Sequence, residues 1–294
     1  MNWWTQLKGT VKRHEPLSRH TTFKIGGAAD FFIEPRDISD LGLLLALAGK
    51  YKKKFFVAGA GSNLLVSDKG FRGIVIGLRA PSFKKIDFEG TRVYAGAGAA
   101  LSGLANACAV RGLSGLEFCA GIPGSVGGAL IMNAGAWGKN IEDCIENIKV
   151  MDYNGNIKLF KKKDMVFAYR YAGLPGIIVL ECVFKLKLRD KKCIREKIRE
   201  SRARRGSSQD LSFPSAGCIF KNPSAAQPAG MLIDRCGLKG ARKGGAAVSE
   251  KHANFIVNRS NATSRDVAGL MRMIQYRVRR KFGVELEPEI KIIH

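Results

Sequence analysis

Residues 121–128 read Gly-Ile-Pro-Gly-Ser-Val-Gly-Gly, four glycines in eight positions. Glycine lets the backbone turn through positive φ and come close to a ligand. Consecutive amide N–H groups without side chains in the way form an anion-binding concavity, and the start of a following helix strengthens it. The stretch from Gly121, Ile122, Pro123, Gly124 and Ser125 to Gly127, Gly128 and Ala129 therefore suits a phosphate cradle for a large cofactor. The plainer alternative is a tight, close-packed turn. A second cluster, Gly59-Ala60-Gly61-Ser62-Asn63-Leu64, runs straight on from the apolar Phe55-Phe56-Val57-Ala58. It starts like a dinucleotide fingerprint, but the third glycine would fall at Leu64 and no helical pattern follows, so a Rossmann reading is weak. Ser62 and Asn63 can add side-chain donors to the backbone ones.

The elements that must position these loops follow from periodicity. A strand is expected over 29–33, and Asp37-Ile38-Ser39-Asp40 offers N-cap residues for a helix over 41–51. Strands over 55–58 and 73–77 complete a small β-α-β unit in the first 78 residues, with residues 1–20 polar, basic and on the surface. Leu101, Leu104, Ala105 and Cys108 mark one helix face, closed by Gly112. Tyr153-Asn154-Gly155 between 147–152 and 156–160 is a hairpin signal. A long strand follows over 178–188, then a charged helix over 194–205 ended by Gly206, with 207–210 as a linker. Thr263 and Asp266 resemble a capping box, with Asp in place of the usual Glu or Gln. Val267, Leu270, Met271, Ile274 and Val278 form the apolar stripe of the helix it starts, Arg277, Arg279, Arg280 and Lys281 complement its dipole, and Gly283 ends it. Strands are expected over 284–286 and 290–293.

Composition narrows the function classes. In 294 residues, 49 Lys and Arg against 25 Asp and Glu give a net charge of +24, which favours anionic partners. The basic residues are dispersed rather than set in one stripe with aromatics, so dedicated nucleic-acid binding is weakly supported. Seven cysteines, an odd number without a C-x-x-C pair, argue against a disulfide framework and a structural zinc site. The first residues carry no apolar signal region, and the longest apolar run, 41–48, is too short to span a bilayer. A soluble, cytoplasmic chain without membrane insertion is expected.

Several long motifs stand in register: His20-Thr21-Thr22-Phe23-Lys24-Ile25-Gly26-Gly27, GAGSNLLVSDKGFRG at 59–73, GLEFCAGIPGSVGGALIMNAGAWG at 115–138 and Ala168-Tyr169-Arg170. PSAGCIFKNP at 214–223, AGMLIDRCGLKG at 229–240, GGAAVSEKHANFIVN at 244–258 and LEPEI at 286–290 complete the series. Together they resemble the UDP-N-acetylenolpyruvoylglucosamine reductases of peptidoglycan synthesis, enzymes that serve cell-wall biogenesis, cell shape and division. The short interval from Arg170 to Cys218 looks like the branch without an inserted tyrosine-bearing loop. The resemblance implies an α+β fold: a two-subdomain FAD-binding module of the vanillyl-alcohol-oxidase type, 1–78 and 79–192, holding FAD between them. A C-terminal α+β substrate-binding domain follows over 193–294. It also implies non-covalent FAD, NADPH as hydride source, UDP-N-acetylglucosamine enolpyruvate as substrate, UDP-N-acetylmuramate as product, and a monomer or weak oligomer.

By the same resemblance Arg170 matches the catalytic arginine. A permanently charged guanidinium can hold a carboxylate bidentately while charge develops beside it. Glu289 matches the catalytic glutamate, acting on the enol form either as a protonated donor or through Arg170. Glu285 and Glu287 are nearby and are expected to face solvent. Cys218 stands where the family has a serine as proton donor, and a thiol is ordinarily the more acidic donor. Lys221, Asn222, His252 and Asn254 match substrate-contact regions, and Arg205 is a further candidate for the diphosphate. The family's frequent serine two residues after the arginine is Ala172 here, a change that bears on the support of Arg170. Met231 stands where some members have tryptophan.

Two other classes compete. A flavin oxidase with covalently attached FAD would be expected to carry His or Cys near the first glycine loop, and 56–68 contain neither. A basic nucleic-acid-binding module would lack flavin absorbance altogether.

Overall fold

The computed structural model describes residues 2–294. It divides into two compact units, each assembled from separated segments. The first comprises the chain up to Arg13, Phe31–Ala60 and Gly73–Arg204; the second comprises His14–Asp30, Gly61–Arg72 and Arg205–His294. Each has its own apolar core.

A four-stranded sheet has the order Thr10–Pro16, Ala28–Glu34, Phe71–Gly77, Phe55–Ala58. Phe55–Ala58 pairs in parallel with Phe71–Gly77, Phe55 opposite Ile74. Helix α1, Ile38–Lys50, follows Ala28–Glu34. The Asp37 side chain accepts the Asp40 N–H, so the helix begins three residues before 41, at the cap itself. The first unit holds a five-stranded antiparallel sheet ordered Ile157–Lys161, Ile145–Asp152, Ile177–Lys185, Arg92–Gly96, Ile86–Glu89. The Tyr153-Asn154-Gly155 turn joins its first two strands, with Gly155 at φ +87. Helix α2, Leu101–Val110, buries Leu101, Leu104, Ala105 and Cys108 as its spacing requires. Helix α3, Val126–Ile131, follows the second glycine cluster.

Helix α4, Lys191–Ser208, passes through Gly206 instead of ending there. One interior glycine costs only about 1 kcal/mol against alanine, and the Gln209 N–H still reaches Arg205 O at 2.9 Å. The linker expected over 207–210 is thus half helix. The surface placement of 1–20 also fails in part. Trp3 is buried against Phe31, with ring centroids 5.1 Å apart, and Leu17 is also buried.

In the second unit, Ser215–Cys218, Phe255–Asn258, Ala246–Val248 and Arg242–Lys243 form a four-stranded antiparallel sheet in that order. Helices α5, Ala229–Arg235, and α6, Ser264–Phe282, share its core. The α6 capping box is present: Asp266 N–H donates to Thr263 Oγ1 at 3.1 Å and Thr263 N–H to Asp266 Oδ2 at 3.0 Å. Its apolar stripe is buried, and Gly283 closes it at φ +69. Residues 284–286 do not form the expected strand. Leu286 is buried as an apolar anchor and its carbonyl accepts Gln275 Nε2–H at 2.9 Å. Lys291–Ile293 is a strand and pairs in parallel with Leu64–Val66, a strand hidden within the first glycine motif. Among the described residues no helix is long and apolar enough to cross a membrane, and no group of His, Cys, Asp and Glu could hold a metal ion.

Candidate active site

The two glycine clusters meet inside the first unit. A Cβ on Gly59 would lie 2.6 Å from Ser125 Oγ, so any larger residue would displace the hydroxyl that caps α3. Ser125 caps α3, its Oγ accepting the Gly128 N–H at 3.3 Å. The amides at the helix start are spent within the protein: Val126 N–H on Ala99 O and Gly127 N–H on Ala97 O, both at 2.9 Å. The start of α3 is therefore committed to packing, which corrects the expectation that it reinforces the cradle. Ile122 N–H is likewise used, donating to Cys119 O at 3.0 Å, and Pro123 has no N–H to offer. Gly128 and Ala60 are exposed. Two bare backbone stretches held together, with no carboxylate between Gly59 and Ala60 or Gly121 and Ala129, fit a polyphosphate cofactor such as FAD.

Arg170 lies in the same unit at the tip of a four-residue turn. Tyr171 N–H donates to Ala168 O at 3.1 Å and Ala168 N–H to Tyr171 O at 2.9 Å. Arg170 has φ +59, a left-handed conformation that costs a non-glycine residue on the order of 1–2 kcal/mol. Its guanidinium carbon stands 5.1 Å from the centre of the Tyr169 ring. Such strain gathers where a side chain must be aimed, and no sequence signal short of the family motif marks it.

In the second unit the remainder of the first motif takes a structural position. Gly61, at φ +71, would drive a Cβ into His20 O at 2.0 Å. Asn63 Nδ2–H donates to Glu289 O at 3.1 Å, and Lys291 N–H donates to Asn63 O at 2.9 Å. Leu64 is opposite Lys291 in the parallel pair.

Cys218 ends its strand, opposite Phe255, after an irregularity at Gly217, φ +77. The chain beyond it runs alongside the C-terminal motif. Glu289 N–H donates to Ile219 O and Lys221 N–H to Glu287 O, both at 2.8 Å. Glu289 is half-buried, whereas Glu285 and Glu287 are exposed, and Lys221 Nζ pairs with Glu287 at 3.2 Å. The Asn254 side chain is buried and grips Phe220 from both ends, accepting its N–H at 3.0 Å and donating to its carbonyl at 2.8 Å. This clamp holds the residues next to Cys218 in place. His252 Nδ1 accepts the Asn254 N–H at 3.3 Å, and its ring lies 4.7 Å from that of Phe255. Burial pushes the His252 pKa below its ordinary value. Asn222 Oδ1 accepts the Ala229 N–H at 3.0 Å at the start of α5. Burial pushes the Arg205 guanidinium pKa below its ordinary value. Asn133, unmarked by sequence reasoning, proves to contact the Arg170 turn.

Family models match two parts of the chain: an FAD binding domain over residues 28–160 and the UDP-N-acetylenolpyruvoylglucosamine reductase C-terminal domain over 209–293. With an α+β fold and this glycine-lined site, the chain is a flavin-dependent oxidoreductase. Its relatives specify which kind. A UDP-N-acetylenolpyruvoylglucosamine reductase of Caldanaerobacter subterraneus subsp. tengcongensis is 46% identical over 288 residues, covering 97% of this chain and 94% of the relative. One of Heliobacterium modesticaldum is 45% identical over 290 residues, covering 98% and 92%. The crystal structure of the Thermus caldophilus enzyme (MurB) superposes with a TM-score of 0.84 at 37% identity, covering 97% of this chain and all of that one. The chain belongs to the UDP-N-acetylenolpyruvoylglucosamine reductase family.

Proposed function

We propose that this protein is a cytoplasmic enzyme that uses NADPH and non-covalent FAD to reduce the enolpyruvyl group of UDP-N-acetylglucosamine enolpyruvate, giving UDP-N-acetylmuramate. In this reading 1–78 and 79–192 serve the cofactor and 193–294 the substrate. Bound FAD supplies the hydride chemistry. The residues proposed to line its site are Gly59, Ala60, Gly61, Ser62, Asn63 and Leu64, with Gly121, Ile122, Pro123, Gly124 and Ser125, and with Gly127, Gly128 and Ala129 by close packing, since their amides are bonded within the protein.

Hydride addition at the methylene carbon leaves negative charge on the neighbouring carbon and its carboxylate. Arg170 is proposed to hold that carboxylate through its fixed fork of donors, which stabilises the charge as it forms. Glu289 is proposed to favour the enol form. Cys218 then gives up its thiol proton: the S–H bond breaks, a C–H bond forms at the charged carbon, and the thiolate recovers a proton from water. Lys221, Asn222 and His252 are proposed to serve the sugar nucleotide, Lys221 as a point charge for phosphate. Asn254, whose amide is engaged by Phe220, contributes by holding that segment.

The observation that supports this reading best is the bonded register of Glu289 with Ile219 at 2.8 Å. It brings the two candidate groups for enol stabilisation and proton donation onto neighbouring positions of paired segments, although they are far apart in sequence. The test is NADPH oxidation by the purified flavoprotein. Oxidation that depends on the enolpyruvyl substrate supports the proposal, and its absence in FAD-replete protein rejects it.

A further inference from the structure

Helix α3 ends in a Schellman turn. Asn133 N–H donates to Leu130 O at 2.9 Å and Ala134 N–H to Ala129 O at 2.8 Å. Asn133 follows the Met132 cap with φ +39, the left-handed position that asparagine can fill in place of glycine. Its side chain is buried, at 3% exposure, and is used at both ends. Oδ1 accepts the Glu142 N–H at 3.3 Å, and Nδ2 donates to Ala168 O at 3.2 Å. That same carbonyl closes the turn carrying Arg170 by accepting the Tyr171 N–H. Ala172, just beyond the turn, is buried and brings no hydroxyl to it.

We infer that Asn133 is the positioning residue of Arg170, fixing the turn that holds the arginine in its left-handed conformation to the end of the helix that follows the glycine loop. A residue at φ +59 returns to an extended or right-handed conformation unless its surroundings hold it. Glu142 N–H fixes the rotation of the Asn133 amide, which leaves Nδ2 directed at the turn carbonyl. The inference rests on the role proposed above for Arg170.

The test uses Asn133→Asp, which tolerates the left-handed position and keeps an acceptor for Glu142 while losing the donor to Ala168 O. Asn133→Gly is the second variant. It keeps the helix end without burying a charge, in case the aspartate variant does not fold. Trypsin is applied to the full-length chain, and cleavage at the Arg170–Tyr171 bond is followed by mass spectrometry. A net hydrogen bond corresponds to a faster cleavage of about fivefold to tenfold at that bond, with cleavage after Arg111 unchanged. In the FAD-loaded enzyme, reoxidation of the flavin by enolpyruvyl substrate is expected to slow by a similar factor or more. Its reduction by NADPH stays within about twofold of wild type, as expected for a group acting only on the later step. In an Arg170→Ala background the additional loss disappears.

Unchanged cleavage at Arg170 in both variants overturns the inference, as does an equal loss in the Arg170→Ala background. Wild-type reoxidation by Arg170→Ala alone overturns the role of Arg170, and with it the catalytic part of the inference. Proteolysis, which needs no turnover, separates that outcome from a failure of Asn133 to hold the turn.

Discussion

Asn63 and Glu289 are joined through the main chain of the glutamate: Asn63 Nδ2–H donates to Glu289 O at 3.1 Å, and Lys291 N–H returns to Asn63 O at 2.9 Å. A residue of the first glycine motif thereby fixes the backbone from which a candidate catalytic carboxylate projects. Asn63→Ala removes the side-chain donor and leaves the Glu289 carbonyl short of one bond. Thermal unfolding monitored by circular dichroism should show a loss of about 1 kcal/mol. An unchanged midpoint would show that the bond adds nothing to the second unit.

Cys218 should be replaceable by serine but not by alanine. Cys218→Ser retains a transferable proton and is expected to keep substantial turnover. Cys218→Ala should accept hydride from NADPH and then hold reduced flavin in the presence of enolpyruvyl substrate, visible as persistent bleaching of flavin absorbance near about 450 nm, the band expected of this cofactor class. Wild-type turnover by the alanine variant would falsify the proton-donor assignment.

The N-terminus of α6 is capped twice. Thr263 and Asp266 form the box within the chain, and the Asp68 carboxylate accepts the Ser264 N–H at 2.7 Å and Oγ–H at 2.8 Å. Thr263→Ala should cost about 1 kcal/mol in thermal or denaturant unfolding. Hydrogen bonding from the Thr263 backbone holds the Asp266 pKa below its ordinary 3.8. The folded state thus binds that proton less readily than the unfolded chain, and the stabilisation is present above the ordinary pKa and lost as pH falls through the folded one. The stability gap between wild type and Asp266→Asn should accordingly close below about pH 4. A gap that persists at pH 2 would count against the assignment.

His252 has the same sign for a different cause. Its burial disfavours the charged ring, so the folded pKa lies below the ordinary 6.5. The unfolded chain takes up the proton first as pH falls. Stability contributed by the neutral ring is complete above about pH 6.5 and declines on acidification from there. Protonation also turns Nδ1 from an acceptor into a donor facing the Asn254 N–H. The unfolding midpoint of wild type should fall more steeply between pH 7 and about pH 5 than that of His252→Gln, over the range in which histidine titrates. Parallel curves would remove His252 as the source.

Local elements were legible where a short-range rule governs them. The α6 capping box, the α2 face, the Asn154-Gly155 hairpin and the Gly283 stop each depend on residues within one or two turns of each other, and all are present. The errors came where long-range packing outweighs a local preference. Gly206 yields to a helix already propagating through it, residues 284–286 form no strand, and Leu64–Val66 becomes a strand only because Lys291–Ile293 lies beside it.

For the site, the order and type of the motifs were enough to identify the family, the flavin class and the candidate residues, since long runs of specific side chains in register carry that information without coordinates. Tertiary structure alone decided how those residues are held. It spent the α3 amides on Ala97 and Ala99, turned Asn254 into a clamp on Phe220, set Arg170 at positive φ, and brought Asn133 to its turn. Hydrogen bonds between distant segments form only after the chain has closed large loops. No periodicity or spacing in the sequence encodes which donor will meet which carbonyl.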